Sequence, residues 1–394
     1  MKKWISLLLA ACMLLAAVGC AASENKPPEE TAPVAETPTE TPAEPTEAPA
    51  EPTEVPTEPE PEVPETFLFT DSVGRTVELP TNIERVAISG PLAQIVVFAL
   101  CPDKLVGIAS KWDKTAEKYF STGYYNLPEL GQLYGGKGEL NLETLLASGA
   151  QVVIDVGEPK GTIKEDLDAL SEQTGIPFVH VTATIDTMGD AYRKLGELLN
   201  MPEEAETLAV YCDTVYARAL KISDGAEKVK LLYITGDKGL NVIAKGSYHS
   251  EVIDLLSDNL AAVDNPSSKG TGNEVDMEQI MLWNPDVILF APGSIYDTVG
   301  SDPLWSDITA IKNGTYYEVP FGPYNWMGFP PSAQRFLGML WMAKLLYPDA
   351  ADYDLYTEVA EYFRLFYHCD LSEADYNELI ANSIGAQEAL APAA

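Results

Sequence analysis

Two segments of the chain share one pattern of apolar and polar positions at a constant spacing of 135 residues. Residues 139–157 read ELNLETLLASGAQVVIDVG, and residues 274–292 read EVDMEQIMLWNPDVILFAP. In each copy an Asn or Asp precedes a helical apolar pattern, and a short polar break separates that pattern from a β-branched run. Each copy therefore predicts a capped helix that leads into a buried strand of a parallel sheet. Two such units this far apart indicate two similar α/β lobes with a ligand cleft between them.

The rest of the folded region alternates between short apolar runs and amphipathic stretches, which predicts parallel sheets covered on both faces. A long amphipathic stretch at Pro202–Ser223 is followed by no strand before Val229, so we expect one helix to join the lobes. The fold class predicted is α/β, with two Rossmann-like lobes, parallel sheets and a single long interlobe helix. The other predicted strands are Phe67–Thr70, Thr76–Leu79, Arg85–Ser89, Leu105–Ala109, Phe178–Val181, Lys230–Thr235, Leu240–Ile243 and Thr315–Val319. The other predicted helices are Leu92–Leu100, Ile163–Thr174, Thr187–Leu199, Ser250–Leu256, Ser332–Leu346 and Leu355–Phe366.

The N-terminal region has the composition of an export signal followed by a spacer. Residues 1–20 contain two lysines, a short apolar stretch and then Cys20, an order that resembles a bacterial lipobox. We expect Cys20 to be lipidated, and an ordinary signal peptide cut near Ala22 is the alternative. Residues 21–66, rich in Pro, Thr and Glu, predict a disordered stalk. The predicted domains that follow are a first lobe at 67–200, an interlobe helix region at 201–228 and a second lobe at 229–390.

Composition excludes several function classes. The formal net charge of −35 argues against nucleic acid and other polyanionic partners. Cysteines after the signal are few and widely spaced, which predicts neither a disulfide framework nor a metal site. The 3 histidines are scattered along the chain, which argues against a His-cluster metal centre. We therefore expect no intrinsic cofactor, and we expect a monomer.

Several features together resemble the substrate-binding lipoproteins of iron-complex and cobalamin ABC importers, the helical-backbone periplasmic-binding-protein family. They are the lipobox, DSVGRTVELP at 71–80, the NLE helix start at 141–143, the interlobe helix, WNPDVI at 283–288 and a terminal amphipathic helix. The likeness covers nearly all of residues 67–367. It implies that the lobes hold a metal chelate and deliver it to an ABC permease with its ATPase. It also implies anchoring to the outer face of the cytoplasmic membrane.

The resemblance assigns a docking role to one glutamate on each lobe. Glu143 and Glu278 occupy the positions that meet Arg residues of the permease in that family. A Glu in the first turn of a helix is also stabilised by the helix dipole, so a helix-start charge is the alternative for each. The same Glu in both copies of the repeat favours docking, because a two-lobed protein needs two matched contacts.

Ligand-contacting residues are expected on loops that follow strands and face the other lobe. Glycine loops at 135–138 and 270–272 either present N–H groups to an anion or are simple turns. Tyr248 with His249 is a candidate pair for ligating iron or haem, and a hydrogen-bonded cleft pair is the alternative. Tyr324 and Trp326 predict an apolar ligand wall, with core packing as the alternative. The full set of candidates is Ser89, Lys111, Trp112, Tyr134, Lys137, Glu158, Lys245, Tyr248, His249, Lys269, Tyr324 and Trp326.

Charge favours one ligand class over another. Lys111, Lys137, Lys245 and Lys269 lie on candidate cleft loops of an otherwise acidic chain, which favours an anionic iron chelate such as a ferric siderophore or haem. Cobalamin, or another metal chelate, is the alternative. The resemblance weakens cobalamin, because its binders place Trp in the two glycine loops, where this chain has no aromatic residue except Tyr134.

Other function classes fit less well. The chain contains no HExxH, phosphate loop or dinucleotide fingerprint, and we expect no enzyme activity. A cleft enzyme that uses His249 and Glu251 as acid and base is the remaining enzymatic alternative. An adhesion protein would suit the stalk but not the repeated lobes. Identification of a ligand retained after mild purification would decide among the chelates.

Overall fold

The computed structural model describes residues 65–134 and 139–384, which belong to one compact unit. The predicted signal peptide with Cys20, the stalk as far as residue 64, and Lys137 with its glycine loop lie outside the described residues. Within the described residues, no helix combines the length and apolar character needed to cross a bilayer. The stalk was predicted one or two residues too long, because Thr66 already belongs to the first strand.

Strands and helices alternate along most of the described chain. The strands are β1 (Thr66–Thr70), β2 (Thr76–Pro80), β3 (Val86–Ile88), β4 (Val152–Gly157), β5 (Phe178–Thr182), β6 (Lys230–Thr235), β7 (Asn241–Val242), β8 (Asp258–Asn259), β9 (Asn273–Glu274), β10 (Val287–Phe290) and β11 (Tyr316–Glu318). The helices are α1 (Pro91–Leu100), α2 (Thr122–Tyr125), α3 (Leu142–Ala147), α4 (Ile163–Thr174), α5 (Met188–Leu199), α6 (Pro202–Gly225), α7 (Glu251–Leu256), α8 (Met277–Trp283), α9 (Tyr296–Val299), α10 (Thr309–Asn313), α11 (Arg335–Leu346), α12 (Leu355–Phe366) and α13 (Glu373–Leu379).

The first lobe is built around a parallel sheet of order β3-β4-β5. Strand β4 is buried at all six positions, as expected of the central strand of a sheet covered on both faces. The predicted strand at Leu105–Ala109 forms only two isolated bridges, from Leu105 to Val86 and from Ile108 to Glu129. The hairpin of β1 and β2 is attached to this lobe, since the main-chain N–H of Ser72 donates to the His180 carbonyl oxygen at 2.9 Å.

The second lobe is built around the sheet β11-β10-β6-β7-β9, with β8 also paired to β6. Its central pairs, β10 with β6 and β10 with β11, are parallel as predicted. Strands β7 and β9 differ, because β7 pairs antiparallel to both β6 and β9. The direct connection from β6 through Gly236 and Gly239 is a hairpin, which joins neighbouring antiparallel strands without a crossover helix.

Helix α6 lies between the two lobes in the chain and packs against α5 of the first lobe and α11 of the second. Its 24 residues begin with Pro202 in the first turn, where proline loses no intrahelical hydrogen bond. Beyond the second lobe, α12 returns to pack on α1, and the His368 imidazole contacts the Phe98 carbonyl oxygen at 3.1 Å. The two-lobe α/β fold with one long connecting helix is therefore confirmed.

Candidate functional site

The carboxyl ends of the parallel strands in both lobes lead into loops that meet in the space between the lobes. Hydrogen bonds that cross this boundary include the following three. The Tyr248 hydroxyl donates to the Ala183 carbonyl oxygen at 2.6 Å, and the Ser332 hydroxyl donates to the Leu92 carbonyl oxygen at 3.0 Å. The third runs from the Gln94 amide to the Tyr324 hydroxyl at 3.1 Å. Tyr248 and Tyr324, both predicted at the site, thus lie on the lobe boundary.

The first lobe contributes a buried polar row across the ends of β3, β4 and β5. The Ser89 hydroxyl donates to the Asp155 carboxylate, whose second oxygen lies 2.7 Å from His180 Nδ1. The other ring nitrogen of His180 is 3.2 Å from the Thr182 hydroxyl. The carboxylate stands between the hydroxyl and the imidazole, so His180 reaches Ser89 only through Asp155. Sequence analysis found Ser89 but missed Asp155 and His180, whose signal is a polar residue inside an apolar strand.

The second lobe holds Tyr248 in place with a buried arginine. Arg335 is fully buried and forms an ion pair with Glu251. Its guanidinium also donates to the Tyr248 carbonyl oxygen at 3.1 Å and lies 4.8 Å from the centre of the Tyr248 ring. Burial raises the pKa of Glu251, and the charge of Arg335 opposes that rise. Sequence analysis missed Arg335, because an Arg at the start of an apolar helix is usually exposed.

His249, next to this cluster, is 8% exposed and fixed by the main chain. Its Nδ1 lies 3.0 Å from the Gly328 carbonyl oxygen. Burial lowers the pKa of His249, main-chain hydrogen bonds with Gly328 and Ser268 oppose this, and the charges of Arg335 and Lys160 lower it further. The imidazole is therefore neutral at pH 7 and has positive charges near it from both lobes.

An exposed aromatic ring borders His249. Phe329 is 57% exposed, and its ring covers Gly270 so closely that an added Cβ there would lie 2.0 Å from Phe329 Cδ2. The same Cβ would lie 3.1 Å from His249 Cε1, so the three residues lie close together on the second lobe. Phe329 was missed by sequence analysis, although the Gly-Phe-Pro-Pro sequence around it gave the signal of an aromatic on a rigid loop.

Two predicted aromatic residues are core residues instead. Trp326 is fully buried, and its indole N–H donates to the Gly322 carbonyl oxygen at 3.3 Å, so the prediction that it forms a ligand wall is wrong. The loop folds back through bridges that Asn325 makes with Phe321 and Phe329, which turn the indole into the interior. Trp112 is likewise buried, and its ring packs edge-on against Phe98 at 5.1 Å.

The predicted cationic residues do not form a free positive cluster among the described residues. Lys111 lies 3.5 Å from Glu129, and Lys245 lies 3.4 Å from Asp258, so each has a carboxylate partner on its own lobe. Lys269 is exposed on the loop before β9.

The two remaining candidates, Tyr134 and Glu158, both lie in the first lobe. Tyr134 has a hydrogen-bond partner, and Glu158 has a partner of opposite charge. The Tyr134 hydroxyl donates to Asp166 at 2.6 Å, and exposed Glu158 lies 3.5 Å from Lys160. Each of these contacts joins residues of the first lobe, so neither residue reaches across to the second lobe through them.

A cavity of about 610 Å³ opens beside the lobe boundary. It lies among the 3₁₀ turn at Lys114–Lys118, the segment after β11, and α13. Lys118 anchors α13 through Asp375 at 2.6 Å and Glu378 at 2.9 Å. The volume of this cavity is within the range of small-molecule sites. Sequence analysis predicted neither the cavity nor α13.

The repeated helices carry the two glutamates as the repeat predicted. Asn141 and Asp276 cap α3 and α8 by accepting main-chain N–H bonds from Thr144 at 3.0 Å and Gln279 at 2.8 Å. Glu143 and Glu278 follow in the first turns and are both exposed. Within residues 65–134 and 139–384, neither Glu143 nor Glu278 has an ion-pair partner within 4.0 Å. The ion pairs formed within those residues are Arg75 with Asp71 and Asp168, Lys104 with Glu84, Lys111 with Glu129, Lys118 with Asp375 and Glu378, Lys160 with Glu158, His180 with Asp155, Arg193 with Asp190, Glu206 and Asp213, Lys194 with Glu197, Arg218 with Glu358, Lys245 with Asp258, Lys312 with Asp307, Arg335 with Glu251 and Arg364 with Glu361.

His249 and Glu251, the acid and base of the enzymatic alternative, do not pair with each other. His249 bonds to the Gly328 carbonyl oxygen, and Glu251 bonds to Arg335. In the part of the chain that the structure describes, no three His, Cys, Asp or Glu side chains group in a way that could hold a metal ion.

Comparisons with known proteins agree with this architecture. The sequence profile of the periplasmic binding protein family matches residues 97–322. The molybdate-binding protein MolA of Haemophilus influenzae is 26% identical over 328 residues, which cover 76% of this chain and 90% of MolA. The Fe(3+)-citrate-binding protein YfmC of Bacillus subtilis is 23% identical over 188 residues, which cover 47% of this chain and 58% of YfmC.

A solved structure, the ABC transporter solute binding protein of Sulfurospirillum deleyianum, is similar over most of its length. It superimposes with a TM-score of 0.72 and is 28% identical, covering 79% of this chain and 98% of its own. The family profile spans more than half of the 394 residues. The chain therefore belongs to the periplasmic binding protein family and is a solute-binding protein of an ABC transporter.

Proposed function

We propose that this chain captures an anionic iron chelate between its lobes and delivers it to its ABC permease. The observation that carries the proposal is the surrounding of His249. Besides burial, Arg335, which pairs with Glu251, and Lys160, which lies 3.5 Å from Glu158, help to lower the pKa of His249 from the two lobes, and exposed Phe329 lies close to it. An anion with an apolar or flat face suits such a place, because exposed Lys160 can attract its carboxylates and the Phe329 ring can cover its body. The relative YfmC is an Fe(3+)-citrate-binding protein, and ferric citrate is an anionic iron chelate.

Molybdate is the second candidate. The relative MolA, which the chain matches over 90% of its length, is a molybdate-binding protein. A compact dianion also suits a boundary where Tyr248 and Ala183 are already in hydrogen-bond contact.

A binding assay on the purified protein separates these ligands. We would titrate it with ferric citrate, a ferric catecholate, molybdate and cyanocobalamin by isothermal calorimetry, and measure retained metal by mass spectrometry. The proposal expects a ferric chelate to bind most tightly. Binding of molybdate alone would select the second candidate, and binding of cyanocobalamin alone would overturn both.

A charge variant tests the position of the site. Loss of one charge-assisted contact removes about 1.5–3 kcal/mol, so Lys160→Gln should weaken binding about tenfold or more. Lys312→Gln is the matched control, since Lys312 pairs with Asp307 at 3.1 Å on the second lobe. Equal affinity of both variants would remove Lys160 from the site.

Delivery requires a membrane location and a permease contact. We propose that lipid on Cys20 anchors the protein to the outer face of the cytoplasmic membrane, with residues 21–64 as the spacer. The folded part acts as a monomer, and Glu143 and Glu278 face the permease. Cys20→Ser should release the protein from membranes or leave an uncleaved precursor, and full solubility of the unchanged protein would contradict the anchor.

A further inference from the structure

Large apolar side chains are exposed at few places in the described part of the chain, and three of them lie on the repeated helices. Leu146 on α3 is 52% exposed, and Met281 and Leu282 on α8 are 46% and 78% exposed. A single exposed apolar residue needs no explanation, but Leu146 and Met281 recur at matched places of the repeat, and Leu282 lies beside Met281.

The repeat puts acidic and apolar residues in the same relation on both lobes. Leu146 and Met281 occupy equivalent positions, each three residues after a docking glutamate and therefore on the same helix face. Exposed Glu139 and Glu274 are equivalent too. We call these the acidic–apolar patches: Glu139, Glu143 and Leu146 on the first lobe, and Glu274, Glu278, Met281 and Leu282 on the second.

We propose that the two acidic–apolar patches form one docking surface, in which Leu146, Met281 and Leu282 insert into apolar sites of the permease. This inference rests on the proposed docking function. The glutamates supply orientation and a fast association rate, as rim charges do, and the apolar side chains supply the slow dissociation.

Charge decides which partner the patches fit. A second copy of this chain would bring glutamates to glutamates, and the net charge of −35 would oppose it throughout. The partner must therefore carry positive charge beside an apolar recess, once for each lobe. The ABC permease that Glu143 and Glu278 are proposed to face is the partner to which this inference commits.

The test compares apolar and acidic variants in the same binding assay. Leu146→Ser and Leu282→Ser would be measured against the permease and ATPase of the producing organism, reconstituted in nanodiscs. Each should raise the dissociation rate and weaken binding about tenfold, with the salt dependence of association unchanged. Leu68→Ser is the control, because Leu68 is 72% exposed on β1 outside both patches. All three variants should have the ligand affinity and the circular dichroism spectrum of the unchanged protein.

The outcomes separate this inference from the proposed function. If Glu143→Arg abolishes docking while both serine variants bind like the unchanged protein, the apolar role is overturned and glutamate docking stands. If the unchanged protein does not bind the permease, both fall. A dimer in sedimentation velocity that Leu282→Ser converts to monomer would make the patch a contact between copies and overturn the inference.

Discussion

The Tyr248 hydroxyl crosses from the second lobe to the first and donates a 2.6 Å hydrogen bond to the Ala183 carbonyl oxygen. Gly157 lies beside this contact and packs closely against Leu92. At φ +135° it has a backbone that disfavours other residues, and an added Cβ would lie 2.9 Å from Leu92 Cδ2 and 3.8 Å from the Tyr248 hydroxyl. Arg335, packed on the Tyr248 ring, fixes the other side. The Tyr248 side chain that makes the lobe contact is thus held in place by Arg335.

Tyr248→Phe should loosen the lobe boundary without disturbing the packing of the ring. Loss of one hydrogen bond should lower the free energy of unfolding by about 1 kcal/mol. Amide exchange in residues 183–187 should speed up, because Ala183 loses its partner. Tyr353→Phe is the matched control, since its hydroxyl donates to the Leu340 carbonyl oxygen at 2.6 Å and its loss should cost a similar amount. Equal exchange at 183–187 in both variants would show that the Tyr248 bond does not hold the lobes.

Arg335→Met should be strongly destabilising, because it leaves Glu251 partly buried without a counter-charge. Breaking such a pair on one side costs about 3–5 kcal/mol, measured by urea unfolding. The double variant Arg335→Met/Glu251→Gln should recover most of this, since neither charge remains. A double variant as unstable as the single one would attribute the loss to packing.

The same pair predicts a pH dependence. Burial raises the pKa of Glu251, and removal of Arg335 would raise it further. A carboxyl group whose folded pKa lies above its unfolded value favours folding at low pH, and that stability is lost as the pH rises through the folded pKa. Relative to the unchanged protein, Arg335→Met should therefore be less destabilised at pH 5 than at pH 7. The double variant should lack this difference, and a parallel pH profile for both would contradict the assignment.

Regular elements were predictable from sequence because their signals are local. Helix Ile163–Thr174, strand Lys230–Thr235 and helix Leu355–Phe366 have the predicted bounds. The caps at Asn141 and Asp276 followed from the repeat, since a side-chain oxygen before an apolar periodic stretch has few other uses.

The site was less predictable, because its contacts join residues far apart in sequence. Arg335 meets Glu251 and Tyr248 only after the second lobe has folded, and nothing in their local sequence pairs them. In the loop that contains Trp326 and Phe329, the order of residues did not reveal which of the two rings turns inward. That choice depends on the Asn325 bridges and on Gly338, whose added Cβ would lie 2.4 Å from the Trp326 carbonyl oxygen.

Substitution of Trp326 should lower stability, whereas substitution of Phe329 should lower ligand affinity. Trp326→Ala should cost about 3–5 kcal/mol of unfolding free energy, as expected for a buried aromatic. Phe329→Ala should change stability by less than about 0.5 kcal/mol yet weaken binding of ferric citrate or molybdate, whichever binds, about tenfold. Leu304→Ala, at a residue 68% exposed, controls for loss of surface apolar area. Unchanged affinity in Phe329→Ala would remove that ring from the site.

Glu143→Arg and Glu278→Arg should separate docking from ligand capture. Both side chains are exposed in first turns of helices, where loss of a favourable dipole contact costs only about 0.3–1 kcal/mol. Ligand affinity should stay the same, while stimulation of the permease ATPase should fall sharply because like charges now meet. The double variant should be weaker than either single one. Glu172→Arg is the matched control, because Glu172 is exposed on α4 and the variant makes the same charge change outside the repeat. Full ATPase stimulation by both single variants would reduce the two glutamates to helix-start charges, and the repeat would then reflect the fold alone.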